Sequence, residues 1–473
     1  MTSRITIIGA GPGGYAAALR AARLGAKVSL VERDQIGGTC LHRGCIPSKT
    51  MKTAAEIFEN LGRAKEFGIN CKNSPSLDIR RLMGKKDRVI QTLNHGMRGQ
   101  LKEQNVTILK GEGFVNKHGL VSVRHGDGLT KEVQWDRLIL STGSEPGGIP
   151  SIPYDGERII SSDDILNISE IPDSLIIVGG GVIGCEFASI FSAFGSRVTI
   201  VEALSRLLPL SAVDDACSKV LQREMKKRKI AVNLNSTVGK VDIKGERAIV
   251  TIIPVISEKN SEKKNLKPVE LEIDKILICT GRRSNIAGMG FGNIGLELDS
   301  GGWVFVDQHM QTGAEGVYAV GDMLGPEKVM LAHMASAEGL VAADNSMGKK
   351  TEIDYSAVPN AIFTIPEVAC VGLTEAQACE RGLNSRADSI LFRTLGKAQA
   401  IGEIAGEAKI VSDVETGLII GVHLIGSHVT DLIAEGALAV KNGITLKELA
   451  ETIHAHPTIA EVMADVARKA LDE

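Results

Sequence analysis

Cys40 and Cys45 stand in the run Gly37-Gly38-Thr39-Cys40-Leu41-His42-Arg43-Gly44-Cys45-Ile46-Pro47-Ser48-Lys49, a short step after Gly9, Gly11 and Gly14. Two thiols beside a bound dinucleotide can pass electrons between sulfur and a cofactor ring, so the first chemistry suggested is thiol–disulfide redox. The spacing sets a condition. On a regular helix, residues five apart have Cα atoms roughly 8.6 Å apart, beyond the ~7 Å reach of a disulfide, so a bond needs a bent or irregular turn. Gly44, with Gly37 and Gly38 before the pair, supplies the backbone freedom for one. Pro47 suits the first turn of a following helix. Without their surroundings the two cysteines could equally be small buried apolar fillers. Structural zinc fits less well: it favours gaps of about two to four residues and a second ligand pair, and no such pair stands out. No metal site is expected. The neighbouring glycines tip the reading toward redox.

Those glycines belong to a repeated unit. Ile5-Thr6-Ile7-Ile8 reads as a strand running into Gly9-Ala10-Gly11-Pro12-Gly13-Gly14, an alanine-rich helix to about Leu24, a second strand at Val28 to Val31, and an acid at Glu32. The second copy is as complete, with Leu175-Ile176-Ile177-Val178, then Gly179-Gly180-Gly181-Val182-Ile183-Gly184, a helix to about Phe194, a strand at Val198 to Val201, and Glu202. A lone glycine motif is a weak signal. Here each copy has the strand, the helix and the ribose-binding acid that dinucleotide binding requires, with the helix N-terminus facing the pyrophosphate. The echo continues: Leu138-Ile139-Leu140-Ser141-Thr142-Gly143-Ser144 matches Ile276-Leu277-Ile278-Cys279-Thr280-Gly281-Arg282, each read as a late strand ending at the ligand side of its sheet. Two modules imply two dinucleotides. One should be a flavin and the other a nicotinamide, because a hydride needs a carrier that can hand electrons to a disulfide.

At 473 residues the chain exceeds one hydrophobic core, so several domains are expected. A net charge of −3 offers no global attraction for nucleic acid or a membrane surface. Local runs such as Lys226 to Lys229 read as solvated helix faces. Eight scattered cysteines do not form a secreted disulfide framework. The chain enters a strand at Ile5 with no signal segment before it, and the cytoplasm is the expected location.

Over essentially its full length the chain resembles the pyridine nucleotide-disulfide oxidoreductases of class I. The Cys40–Cys45 segment matches their redox motif and ends in the Ile-Pro-Ser-Lys form typical of the lipoamide enzymes. Val317-Tyr318-Ala319-Val320-Gly321-Asp322 resembles the second flavin motif, and His454-Ala455-His456-Pro457-Thr458-Ile459-Ala460-Glu461 the acid-base motif. The resemblance implies oxidation of protein-bound dihydrolipoamide with NAD as acceptor and FAD between them. It implies that Cys45 lies next to the flavin, forming a charge-transfer contact when reduced, and that Cys40 exchanges with substrate. His456 would be the base and Glu461 would orient it, with His454 structural. Since that histidine comes from the other subunit in the family, a homodimer is implied. Lys49 and Glu186 would meet beside the flavin, their alternative being helix-surface charges. FAD would be held by Gly9, Gly11, Gly14, Glu32, Lys49, Gly113 in the Gly111-Glu112-Gly113 turn, Thr142, Gly143, Ser144, Asp322, Leu331, Ala332 and His333. NAD would be held by Gly179, Gly181, Gly184, Glu202 and Gly281.

The implied fold is α/β: two Rossmann-like dinucleotide-binding domains, for FAD and NAD, plus a C-terminal α+β dimerisation domain. The boundaries read as 1–146 for the FAD domain, 147–273 for the NAD domain, 274–347 for a central segment completing the FAD site, and 348–473 for the dimer interface. The charged run Ser257 to Lys267 reads as an exposed hairpin tip. Three segments depart from the family pattern: Met334 where lysine commonly follows Leu-Ala-His, Thr364-Ile365-Pro366-Glu367 where Thr-His-Pro-Glu is common, and His42-Arg43 in place of Asn-Val. None removes a reacting group.

Alternatives remain. Glutathione reductase-like enzymes need a basic pocket for a 2′-phosphate, which Glu202 would repel. Mercuric reductase-like enzymes need further cysteines near the C-terminus, whereas the last here is Cys379. A soluble transhydrogenase typically lacks one cysteine of the pair. The chain could also be a mainly structural or binding subunit of a 2-oxoacid dehydrogenase or glycine-cleavage complex, and a lipoyl domain or lipoyl protein of such a complex is the expected partner.

Overall fold

Ile5, Ile7, Leu138, Ile139 and Leu140 are completely buried, as expected of strands covered on both faces by helices. In the computed structural model, which describes residues 2–70, 75–255 and 267–472, they lie at the centre of a five-stranded parallel sheet. Its order is Val317–Ala319, Arg137–Leu140, Arg4–Ile8, Lys27–Glu32, Thr107–Lys110. The helix Pro12–Arg23 follows the first strand and packs on Ala332–Ser346. The two helices touch through glycines: a Cβ on Gly339 would sit 2.2 Å from the Gly13 carbonyl oxygen. A three-stranded antiparallel sheet, Glu112–Lys117, Leu120–Arg124 and Thr130–Gln134, completes this unit, which comprises residues 1–50, 80–147 and 281–354.

The second unit comprises residues 51–79, 148–280 and 355–473. It repeats the first architecture with a parallel sheet ordered Ala231–Asn233, Arg197–Val201, Ser174–Val178, Lys275–Ile278, Ile159–Ile160. Beside it is an antiparallel sheet of Ser236–Lys244, Arg247–Pro254 and Val269–Ile273. The last two strands pair as the hairpin expected around Ser257 to Lys267, although of that run all but Lys267 lies outside the described residues. The C-terminal part is α+β. Its mixed-order antiparallel sheet runs Asn360–Ile362, Glu367–Gly372, Ile419–Gly426, Glu407–Asp413, Ser385–Leu391. Val422, Leu424, Val462, Met463 and Val466 form its core against the helices Val429–Asn442 and Glu461–Asp472.

Lys275–Ile278 pairs with Ser174–Val178, so the second parallel sheet runs past residue 273 and the break between units falls between Thr280 and Gly281. The first unit in turn extends to Asp354, because Ile353 packs on its core and its N–H bonds the Gln308 carbonyl at 2.9 Å.

Candidate active site

Each parallel sheet carries one glycine turn at the start of its helix, and the two are built alike. Gly9 has φ +98°, and a Cβ there would fall 2.1 Å from the Ser141 carbonyl oxygen. A Cβ on Gly14 would fall 1.9 Å from the Gly9 carbonyl oxygen, so the turn and the helix start press together where no side chain fits. Gly11, by contrast, faces open space and caps the helix without a side-chain hydrogen bond. The first N–H groups of that helix therefore point into room for an anion. In the second copy Gly184 presses on Gly179 at 2.0 Å, and Gly181 is the open, uncapped position.

The acids close both turns. Glu32 is buried and accepts from the Ala10 N–H at 2.8 Å and the Asp34 N–H at 2.7 Å. Glu202 accepts from the Gly180 N–H at 2.6 Å and the Leu204 N–H at 2.8 Å. One bond per carboxylate oxygen leaves lone pairs for ribose hydroxyls while fixing the carboxylate beside the glycine turn. Arg206, the nearest cation in sequence to Glu202, donates from Nη2 to the Leu210 carbonyl at 2.8 Å and has Nε 3.8 Å from Asp215, while its buried Nη1 has no hydrogen-bond partner among the described residues.

The redox segment is pinned to the first turn. The Gly37 N–H bonds the Ala10 carbonyl at 2.8 Å, and a Cβ on Gly38 would lie 2.7 Å from Gly11 Cα. The helix Gly38–Arg43 stops at Gly44, and a new helix, Cys45–Gly62, begins with Pro47 in its first turn. This is the irregular turn the spacing demands, and it brings the thiols within hydrogen-bonding reach. The bond to Cys45, and then burial, push the Cys40 thiol far above the ordinary value. Lys49 follows Cys45 by one helical turn, and its positive charge acts on Cys40. His42 and Arg43 hold the segment from the other side: His42 Nε2 donates to the Ile36 carbonyl at 2.9 Å, and Arg43 pairs with Asp34 at 2.6 Å.

Across the same unit, Asp322 accepts from Ser144 Oγ at 2.6 Å. Arg282 Nε donates to Ser144 Oγ at 2.6 Å and lies 3.6 Å from the Asp322 carboxylate. In the sequence Arg282 stands out only as the last residue of an echo. Its signal was its place just after Thr280-Gly281, at the start of the segment that returns to the first sheet. Thr142 and Gly143 are held by Asn285, whose side chain bonds the Thr142 carbonyl at 3.2 Å and whose N–H bonds the Gly143 carbonyl at 3.0 Å. Gly113 packs on Ile8, where a Cβ would meet Cγ2 at 3.0 Å. Leu331 caps the helix beginning at Ala332 and His333 without a side-chain bond, and Met334 is buried in place of the family's lysine.

In the second unit the two C-terminal histidines differ. His454 has both nitrogens engaged, Nδ1 with the Thr452 carbonyl at 3.0 Å and Nε2 with Glu435 at 2.8 Å. His456 is 77% exposed and uses only Nδ1, which lies 2.8 Å from Glu461. The Thr458 N–H and then His456 hold the Glu461 carboxyl below the usual range, so it is ionised and Nδ1 carries the proton that bonds it. The Nε2 lone pair is left as a base. Glu186 is buried and accepts from the Phe363 N–H at 2.9 Å.

The sequence profile described as pyridine nucleotide-disulphide oxidoreductase matches residues 3–339, and that of the same family's dimerisation domain matches 358–467. The chain belongs to the pyridine nucleotide-disulphide oxidoreductases. It is 40% identical over 469 residues to a dihydrolipoyl dehydrogenase of Chlamydia muridarum, covering 98% of this chain and 96% of that one. It is 36% identical over 466 residues to a dihydrolipoyl dehydrogenase of Geobacillus stearothermophilus, covering 98% and 95%. Among solved structures, LpdA from Mycobacterium tuberculosis superposes with a TM-score of 0.90 at 28% identity, covering 99% of this chain and 100% of that one.

This family of flavoprotein oxidoreductases uses FAD and NAD, and the residues of this oxidoreductase fit both. Each group has a bare glycine position at an uncapped helix start and a fixed acid with spare lone pairs. Cys40 and Cys45 lie together as its redox pair, directly beside the first of these turns. Lys49 belongs to the first unit and Glu186 to the second.

Proposed function

We propose that this oxidoreductase oxidises the dihydrolipoamide of a lipoyl protein to lipoamide with NAD as acceptor. The carrying observation is the fusion of the thiol pair to the first dinucleotide turn through Gly38 and Gly11. One substrate thiol gives its proton to His456 Nε2, and the resulting thiolate attacks Cys40 of the Cys40–Cys45 disulfide. That forms a mixed disulfide on Cys40 and releases Cys45 as thiolate. The second substrate thiol then attacks the substrate sulfur of the mixed disulfide, closing lipoamide and freeing Cys40, so two electrons rest in the enzyme dithiol. FAD, when bound, supplies the two-electron relay from the Cys45 side to NAD. Glu461 keeps Nδ1 protonated and so keeps Nε2 basic.

FAD is held by the Gly9, Gly11 and Gly14 turn, Glu32, and the Thr142, Gly143, Ser144 and Asp322 side of the first unit, with Lys49, Gly113, Leu331, Ala332 and His333 around it. Gly179, Gly181, Gly184, Gly281 and Glu202 hold NAD. A homodimer fits the matched dimerisation domain and gives the exposed His456 a site to serve on the partner subunit. The cytoplasm suits a working dithiol, and among the described residues no helix is long and apolar enough to cross a membrane. The test is turnover of free dihydrolipoamide with NAD by the flavin-loaded dimer. Enzyme whose flavin is reduced by NADH, yet which leaves dihydrolipoamide untouched, would overturn the substrate assignment.

A further inference from the structure

A second thiol pair lies in the second unit. The strands Glu367–Gly372, Ile419–Gly426 and Glu407–Asp413 are neighbours, and their register sets Cys370, His423 and Lys409 opposite one another in one transverse row. Directly opposed residues share a face of the sheet. The first turn of the helix Asp215–Lys227 covers that face. Its N-cap, Asp214, bonds Lys409 Nζ through both carboxylate oxygens at 3.3 and 3.2 Å, and its third residue, Cys217, reaches the Cys370 thiol within hydrogen-bonding distance. Cys217, Cys370 and His423 are 2%, 0% and 1% exposed.

His423 Nε2 lies 2.9 Å from the Leu373 carbonyl, which can only accept, so Nε2 carries the ring proton and Nδ1 the lone pair. Nδ1 is buried and has no hydrogen-bond partner among the described residues, and the ring interacts with the Cys370 thiol. The hydrogen bond from Cys217, and then, against burial, the contact with His423, hold Cys370 below an ordinary thiol, while Cys217 keeps its proton. The other charges facing the cluster are Asp214, Lys409 with its partner Glu375, and Glu407. One sulfur beside a base, touching a second sulfur that is protonated, is the arrangement of an attacking thiol and its resolving partner.

We propose that Cys217 and Cys370 are a second redox dithiol of this chain, closed to a disulfide by a small peroxide with His423 as proton acceptor. The Cys370 proton passes to His423 Nδ1, and the thiolate attacks one oxygen of hydrogen peroxide. The O–O bond breaks, and the leaving hydroxide takes the proton from His423 as water, leaving Cys370 as sulfenic acid. The Cys217 sulfur then attacks the Cys370 sulfur, the S–O bond breaks, and a second water leaves with the Cys217 proton. Two thiols are oxidised by two electrons and one peroxide is reduced to two waters. Burial restricts the site to a small uncharged oxidant entering by local opening. The product joins the helix Asp215–Lys227 to the strand Glu367–Gly372.

The test treats the full-length, flavin-loaded protein with hydrogen peroxide, blocks remaining thiols under denaturing conditions, and maps disulfides by mass spectrometry after trypsin. The expected product joins the peptide 207–219 to the peptide 351–381, at least tenfold above the untreated protein. It should persist in Cys379→Ser, which removes the other cysteine of the second peptide, and vanish in Cys370→Ser. Cys217→Ser should stop at a Cys370 sulfenic acid that dimedone traps, and His423→Gln should slow cross-linking at least tenfold. The wild-type cross-link needs no substitution, so misfolding of a variant leaves the test intact. Oxidation of Cys40 and Cys45 with Cys217 still a free thiol would overturn the proposal.

Discussion

His456 Nδ1 lies 2.8 Å from Glu461 Oε1, and its Nε2 has no partner among the described residues, whereas His454, two positions earlier, has both nitrogens bound. A base needs a free lone pair, so the two histidines of one motif are separated by their hydrogen bonds. His456→Gln should slow dithiol oxidation by roughly 10²-fold or more, the scale of a lost general base, while hydride exchange between NADH and flavin persists. His454→Gln should do far less. Equal losses in stopped-flow reduction by dihydrolipoamide would show that the wrong ring has been assigned.

The contact with Cys45 and burial raise the Cys40 thiol far above its ordinary value, which favours the assignment of the flavin-side thiolate to Cys45. Anaerobic two-electron reduction should give a long-wavelength charge-transfer band in the visible spectrum. Cys45→Ser should abolish it and Cys40→Ser should keep it. Bands of equal strength in both variants would reverse the order of the two thiols.

Glu202 offers a ribose two acceptor oxygens and no donor. A 2′-phosphate therefore meets like charge, and NAD should be preferred over NADP by a wide margin. Glu202→Ala should weaken NAD use and narrow the gap without changing flavin content, for which Glu32 is the assigned ribose acid. The ratio of kcat/KM for the two coenzymes decides it, and a wild-type preference for NADP would revive the glutathione reductase-like alternative.

Lys52 and Glu367 form a buried ion pair at 2.6 Å, with Glu56 at 2.5 Å from the same ammonium. Burial pulls Lys52 down, but Glu367 and then Glu56 raise it by more, so its folded value lies above the ordinary lysine. The stability it contributes is thus fully present below the unfolded lysine value and is lost as pH rises through the raised one. Glu367→Ala leaves Lys52 buried with one partner and should cost about 3 kcal/mol, read from the urea midpoint at neutral pH. An unchanged midpoint would mean that Glu56 alone satisfies the ammonium.

The local chemistry was legible in the sequence because it is steric and short-range. Gly9 and Gly14, and their counterparts Gly179 and Gly184, are demanded by backbone atoms within their own turns and the adjoining strand ends. The break between Cys40 and Cys45 follows from a spacing that no regular helix can bridge, and buried parallel strands declare themselves as unbroken apolar runs. The strand Lys275–Ile278 was read as a sheet end from its echo, yet its sheet membership, and so the boundary beyond it, depended on pairing with Ser174–Val178.

Other features were decided only by tertiary structure. Arg282 meets Ser144 and Asp322 from distant parts of the chain. Cys217, Cys370, His423 and Lys409 become neighbours through strand register and the placement of one helix. Sequence reasoning separated His456 from His454 only by motif, and it is the side-chain partners that leave one imidazole nitrogen free. A sequence carries local rules such as glycine geometry, hydrophobic period and motif spacing. Pairings between residues far apart in the chain carry no such local signature, because many registers are compatible with the same apolar pattern and only the packed sheet selects one.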